Sequence, residues 1–125
     1  MPLAYWCVLI AALLPIALVS FAKAGSGGDN RRPRENLESL APARRRAYAA
    51  HQNAFEAFPF FATAVLTATT LGAPIGTVNL LAALYIALRI AHGLLYIGDK
   101  ASLRSAAYGI AFLVNIAIFV LPAFK

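Results

Sequence analysis

The stretch HQNAFEAFPFF, residues 51–61, opens a long apolar run that continues as ATAVLTATTL to residue 71. A helix entering hydrocarbon should carry nothing expensive to desolvate. Yet Asn53 and Glu56 stand here three residues apart, with Pro59 just beyond them. Ionisable side chains in membrane helices are costly, and they turn towards a protein interior or a wet cavity rather than towards lipid. The run therefore predicts a membrane helix with a polar task on one side, inside a bundle that can shelter it.

Composition agrees with that setting. The chain has 125 residues, 61% of them hydrophobic and only 13% charged. Soluble domains carry about 25% charged residues, so this composition belongs to an integral membrane protein. The net charge of +6 does not suggest nucleic acid as a partner, because the chain is too apolar. The single Cys7 supports neither a disulfide framework nor a zinc cluster, and is expected to pack as a small hydrophobe. There is no internal repeat, P-loop, GxGxxG or HExxH pattern.

A spanning helix needs about 20 mostly apolar residues. Four segments qualify, at about 3–22, 47–71, 76–97 and 105–124. The expected fold class is all-α, a single four-helix transmembrane bundle over residues 1–125. The links GAPI (72–75) and GDKASLR (98–104) are short, so helices two, three and four should run antiparallel to their neighbours. The first loop, KAGSGGDNRRPRENLESLAPARRR (23–46), is long and carries seven of the basic residues. Lys100 and Arg104 lie on the same side, whereas the second loop has no Lys or Arg. An excess of Lys and Arg marks cytoplasmic loops. The first and third loops are thus expected in the cytoplasm and both termini outside. The motif Ala22-Lys23-Ala24 resembles a signal-peptidase site. However, the segment before it lacks a basic start and is longer than a signal peptide's apolar stretch of about 7–15 residues, which favours a retained helix. The basic loop on its own needs no more than topology and anionic lipid to explain most of its charge.

Polar residues within the spans follow helical spacing. Arg46, Asn53 and Glu56 share one side of the second helix, and Arg89, His92 and Tyr96 one side of the third. On the fourth, Arg104 and Tyr108 are four apart, with Asn115 a further seven along. Glu56 and Arg89 are the natural buried ion pair, since each alone is expensive in hydrocarbon. Such a pair could simply lock the bundle, and His92 could be a neutral hydrogen-bonding residue. No second ligand at suitable spacing stands beside His92, so no metal site is expected. By depth, all three sets fall in the cytoplasmic leaflet. They can line a pocket open to the cytoplasm and walled by lipid, suited to a charged soluble ligand meeting an apolar one.

Two segments resemble the MAPEG family, the membrane-associated proteins in eicosanoid and glutathione metabolism. RAYAAHQNAFEAFP (46–59) is similar to that family's second-helix signature, an Arg, an Asn seven on, a Glu three further, then a Pro. LRIAHGLLYIGDKASLRSAAY (88–108) is similar to its second block, with Arg89, His92, Tyr96, Arg104, Ser105 and Tyr108 in matching order. The likeness covers residues 1–125 in topology and about 45–110 in motif. It suggests a bacterial-type member near the glutathione transferase, prostaglandin E synthase and leukotriene C synthase branches, and a bacterial inner membrane.

The resemblance implies a homotrimer that binds glutathione between subunits near the cytosolic face. Asn53 and Glu56 would hold the polar end of the tripeptide, with Arg46 in the same signature. Arg89 would support Glu56 or touch the ligand, and His92, Tyr96 and Tyr108 would complete the cleft. Arg104 would sit by the sulfur, where a fixed cation favours the thiolate, with Ser105 as a second donor. The implied activity is a glutathione-dependent transferase or peroxidase acting on apolar electrophiles or lipid hydroperoxides. Two departures stand out: several family enzymes carry Arg where this chain has Ala49, and some carry a basic residue where it has Gln52. Lys23, Arg31 or Arg32 could replace them. The family also includes a non-catalytic lipid-presenting member, so the alternative is a protein that binds a lipid or supports a partner.

Overall fold

A computed structural model describes residues 1–24 and 41–124. Arg31, Arg32, Arg34 and Lys125 lie outside the described residues. Among the described residues four α-helices make the fold: α1 (Leu3–Lys23), α2 (Pro42–Thr70), α3 (Ile75–Ile97) and α4 (Ala101–Val120), the last followed by a 3-10 turn over Leu121–Phe124. α2 starts at Pro42 rather than near residue 47, and α4 at Ala101 rather than near 105. Hydropathy marks where hydrocarbon begins, whereas helical hydrogen bonding runs on into the polar zone. Proline suits the first turn of α2, where its missing N–H would have had no partner.

Among the described residues three segments are long and apolar enough to cross a membrane: Leu3–Lys23, Ile75–Ile97 and Ala101–Phe124. α2 falls short of them on composition rather than length. Its 29 residues reach about 43 Å at 1.5 Å per residue, more than a hydrocarbon core of about 30 Å. Its first half carries Arg44, Arg45, Arg46, His51, Gln52, Asn53 and Glu56. Those polar groups gather at one end of the bundle, where the end of α1, the start of α2, the end of α3 and the start of α4 meet. Many large apolar side chains point outward, among them Leu13, Ile16, Leu66, Leu80, Leu94 and Leu113. In water that surface would aggregate, and in a bilayer it is the lipid-facing coat.

Small residues let the helices approach. Ala22 of α1 packs with Ala47 and Tyr48 of α2, and Leu18 packs with Ala50 and Ala54. With lipid outside, close packing and interhelical hydrogen bonds hold membrane helices together. At the core, Phe61 of α2 stacks on Tyr85 of α3 with ring centroids 4.1 Å apart. Polar groups are satisfied between helices. His51 Nδ1–H of α2 donates to the Pro15 carbonyl of α1 at 2.8 Å. At the opposite end the Ala4 N–H, which belongs to the unpaired first turn of α1, donates to Asn79 Oδ1 of α3 at 2.9 Å.

Two turns set the chain reversals, and both use the same device. After α2, the Ala73 N–H reaches the Ala68 carbonyl at 2.9 Å while Gly72 adopts φ 79°. After α3, the Lys100 N–H reaches the Leu95 carbonyl at 2.9 Å while Asp99 adopts φ 60°. This is a Schellman motif, whose left-handed residue is usually glycine. Gly72 takes the conformation at no steric cost, whereas Asp99 pays for its Cβ. Asp99→Gly is therefore expected to stabilise the protein by about 0.5–1 kcal/mol, and Asp99→Val to destabilise it by more than about 1 kcal/mol. Thermal unfolding in detergent micelles checks both.

Candidate functional site

Asn53 and Glu56 of α2, Arg89, His92 and Tyr96 of α3, and Arg104, Ser105 and Tyr108 of α4 converge at the polar end of the bundle. They line two adjoining cavities with one shared wall. The outer cavity, about 240 Å³, is lined by Asn53, His92, Tyr96, Arg104, Ser105 and Tyr108. The inner one, about 150 Å³, has Glu56, Phe60, Tyr85, Arg89, Phe112 and Asn115 among its walls. Tyr108 lines both. A third cavity of about 330 Å³, lined by Pro42, Arg45, Arg46, Ala49 and Tyr96, touches the outer one through Tyr96.

Aromatic contacts hold the cation of the outer cavity in place. The Arg104 guanidinium lies 4.3 Å from the centre of the Tyr96 ring, close enough for the ring's negative face to attract it. His92 is 3% exposed and meets Tyr96 edge-on at 5.7 Å between ring centres. It also approaches Tyr108 at 6.1 Å. Tyr108 in turn lies parallel to Phe112 at 6.5 Å. His92 is thus a pillar between the two tyrosines. Ser105 stands exposed next to Arg104 at the cavity wall.

The expected Glu56–Arg89 ion pair does not form. Among the described residues Arg89 has no anion within salt-bridge distance. Its Nη2–H donates to Asn53 Oδ1 at 2.7 Å. The reason lies in helix geometry. A spacing of three residues leaves Glu56 about 60° round the α2 axis from Asn53. That rotation takes the carboxylate past Arg89 to the exposed side, though both still face the inner cavity. Arg89 is 3% exposed, so Asn53 is the acceptor that makes its burial tolerable.

Arg46 also has a structural employment. Its Nε–H donates to the Ile97 carbonyl at 2.9 Å, where it satisfies the last turn of α3 and meets the negative end of that helix. It lines the third cavity, not the one that holds Arg104. Lys23 lies with its ammonium 5.8 Å from the centre of the Tyr48 ring and lines none of the three cavities. Arg44 donates from Nη1 to the Phe21 carbonyl at 2.6 Å and tethers the end of α1 to the start of α2.

Sequence reasoning left out Tyr85, Phe60, Phe112 and Arg45 as site residues, and noted Asn115 without assigning it a role. Tyr85 was visible in principle, because Tyr85, Arg89, His92 and Tyr96 follow one helical stripe at spacings of four, three and four. The phenylalanines carry no such signal, since an aromatic residue in an apolar helix fits lipid or core equally well.

The Asn53–Arg89 bond has a measurable consequence. Asn53→Leu should destabilise the protein by about 1.5–3 kcal/mol, the range for a lost hydrogen bond to a charged group. Glu56→Leu should change stability by less than about 1 kcal/mol. Unfolding of the two variants in the same detergent compares them directly, and an equal loss from both would contradict the geometry.

The family model described as MAPEG family matches residues 3–124. No curated protein and no solved structure matches the chain significantly.

Proposed function

The chain belongs to the MAPEG family, and we propose that it is a membrane-bound, glutathione-dependent transferase or peroxidase. Its substrates in this reading are apolar electrophiles or lipid hydroperoxides drawn from the bilayer. The carrying observation is the Arg104 guanidinium, held over Tyr96 at 4.3 Å in a cavity that also presents Ser105 and Asn53. A cation and a hydroxyl together are suited to a thiolate. The free carboxylates of the tripeptide need cations elsewhere, and the third cavity offers them. Ala49 lines it where family enzymes carry Arg, and so do Arg45 and Arg46, one turn earlier on the helix. A ligand lying across Tyr96 spans both cavities, with its thiol by Arg104 and a carboxylate by Arg45. Asn53 keeps its amide N–H groups for the ligand, because Arg89 occupies only its oxygen.

The chemistry then follows from charge. Arg104 favours the thiolate over the thiol, and the thiolate is the nucleophile. Attack on a carbon electrophile forms the S–C bond and expels the leaving group. Attack on a hydroperoxide breaks the O–O bond, and the departing alkoxide takes a proton to become the alcohol. The sulfenic acid formed on sulfur then reacts with a second glutathione to give the disulfide and water. In this reading residues 1–125 form one domain, three copies assemble, the termini face away from the cytoplasm, and the membrane is a bacterial inner membrane.

A free alkyl thiol titrates near 8.5, so only a few per cent is ionised at pH 7. A guanidinium at hydrogen-bond distance lowers that by about one to three units and makes a large fraction thiolate. Purified protein titrated with glutathione at pH 7 should show a saturating rise in near-ultraviolet thiolate absorbance. Arg104→Ala should remove the rise while calorimetry still detects binding. Arg104→Lys should keep part of it, as a point charge without the planar fork. If wild-type protein binds glutathione without a thiolate signal, the catalytic reading is wrong. Lack of binding at millimolar glutathione would instead favour the non-catalytic lipid binder.

A further inference from the structure

Reduction of a hydroperoxide releases an alkoxide, and the alkoxide needs a proton. The cavity that holds Arg104 is also lined by Asn53, His92, Tyr96, Ser105 and Tyr108. Most of these cannot supply that proton. The Arg104 guanidinium does not give one up in a protein, and the amide of Asn53 is no acid. The Ser105 hydroxyl is an aliphatic alcohol like the product, so a transfer from it gains nothing. His92 is 3% exposed and packed between two tyrosine rings, where a spent proton is slow to be replaced.

Two phenols remain, and they face different ways. Tyr96 carries Arg104 on its ring face and also borders the cavity of Arg45 and Arg46, on the side proposed for the carboxylates of the soluble ligand. Tyr108 lies one turn after Arg104 on α4 and parallel to Phe112 at 6.5 Å. Both of these rings are exposed on the outer face of the bundle, at 43% and 45%, the side from which an apolar reactant arrives. Among the described residues the Tyr108 hydroxyl has no hydrogen-bond partner, so its proton is uncommitted. Tyr85 shows the contrast, being buried, stacked on Phe61 and hydrogen-bonded to the Asn115 side chain. Tyr108 also lines the inner cavity, with Arg89 in the same wall. A phenolate formed at this position therefore has a cation on each side.

We infer that Tyr108 is the catalytic acid of the reduction, its hydroxyl protonating the oxygen that leaves when the thiolate attacks. The inference rests on the peroxidase reading proposed above. In this step the sulfur forms a bond to the terminal oxygen of the hydroperoxide, the O–O bond breaks, and its electron pair stays on the alkoxide oxygen. That oxygen takes the phenolic proton and leaves as the alcohol, with Tyr108 a phenolate. The proton shed earlier by the thiol restores the phenol through solvent. Sulfur is oxidised to the sulfenic acid, the hydroperoxide is reduced to the alcohol, and a second glutathione carries the sulfenic acid to the disulfide and water. A phenol gives up its proton near pH 10, far more readily than the alcohol product does, so the transfer runs downhill. The role is confined to strongly basic leaving groups. A chloride departing from a carbon electrophile takes no proton and needs no acid.

The test uses full-length protein in detergent micelles with glutathione, and compares cumene hydroperoxide with 1-chloro-2,4-dinitrobenzene. Tyr108→Phe keeps the ring against Phe112 and removes the hydroxyl alone, and its thiolate absorbance reports whether the site is intact. General acids contribute about 10²–10⁴-fold. The kcat/KM for the hydroperoxide should therefore fall about 10²-fold relative to that for the chloride, with the thiolate signal retained. A relative fall under tenfold would overturn the inference, because a lost packing or binding contact weakens both reactions alike. So would a selective loss in Tyr96→Phe and not in Tyr108→Phe, which would make Tyr96 the acid. A second measurement needs no variant: across hydroperoxides whose alcohols differ in acidity, the wild-type rate should change little, since the proton neutralises the leaving oxygen. A steep rise with alcohol acidity would count against Tyr108 even if the variant failed to fold. Wild-type protein that forms the thiolate and reacts with the chloride but not the hydroperoxide would remove this role and keep the transferase reading. Wild-type protein without a thiolate signal would remove both.

Discussion

A guanidinium almost sealed from solvent in the middle of a membrane bundle imposes its needs on everything around it. Arg89 cannot shed its charge at any ordinary pH, and lipid offers it nothing. It must be met from neighbouring helices, and Asn53 of α2 is the neighbour that meets it. That bond ties the polar half of α2 to α3. Asn53 is one of the polar residues in the first half of α2 that leave this helix less apolar than α1, α3 and α4. The polar end of the bundle is arranged around the bond, with the outer cavity on one side of Tyr108 and the inner cavity on the other.

Around this centre the positions of side chains are set by packing more than by charge. Ala22 of α1 and Ala47, Ala50 and Ala54 of α2 let the two helices pack closely, and His51 reaches the Pro15 carbonyl. The stack of Phe61 on Tyr85 fixes α2 against α3 deeper in the membrane. At the polar end, His92 separates Tyr96 from Tyr108, and Tyr96 carries Arg104 on its face. Arg104 is thereby held by an aromatic ring rather than by an acid. A carboxylate partner would neutralise the guanidinium, whereas a ring face orients the cation and leaves its charge in the cavity.

The two cavities differ in what they can recognise. The outer one offers a cation, a hydroxyl and amide donors near the polar end, which suits a charged water-soluble ligand. The inner one is bounded mainly by aromatic rings, with Arg89, Glu56 and Asn115 as its polar groups. The function proposed above, which joins a soluble reactant to a lipid-soluble one, needs both kinds of surface within one side chain's width. Tyr108, 43% exposed and lining both cavities, is where they meet.

Much of this could be anticipated from residue order alone. Long apolar runs broken by GAPI and GDK, with few charges, already require membrane helices packed antiparallel, because the backbone's hydrogen bonds must be satisfied within each segment. The spacing of Asn53, Arg89, His92, Tyr96, Arg104 and Tyr108 places polar groups at one end of each helix. What residue order did not decide is which partner each group takes. Glu56 was the obvious counter-ion for Arg89, yet Asn53 takes that place. Arg46 matched a ligand-binding signature, yet it closes the end of α3. Asn115 was one polar residue among many, yet packing brings it to the wall of the inner cavity with Tyr85 and Arg89. Helical periodicity gives the angle of a side chain about its own axis and its height along it. The rotation and axial shift of one helix against the next are settled only when all four pack together. A rotation of about 60° on a helix is enough to exchange a carboxylate for an amide as the partner of a buried cation.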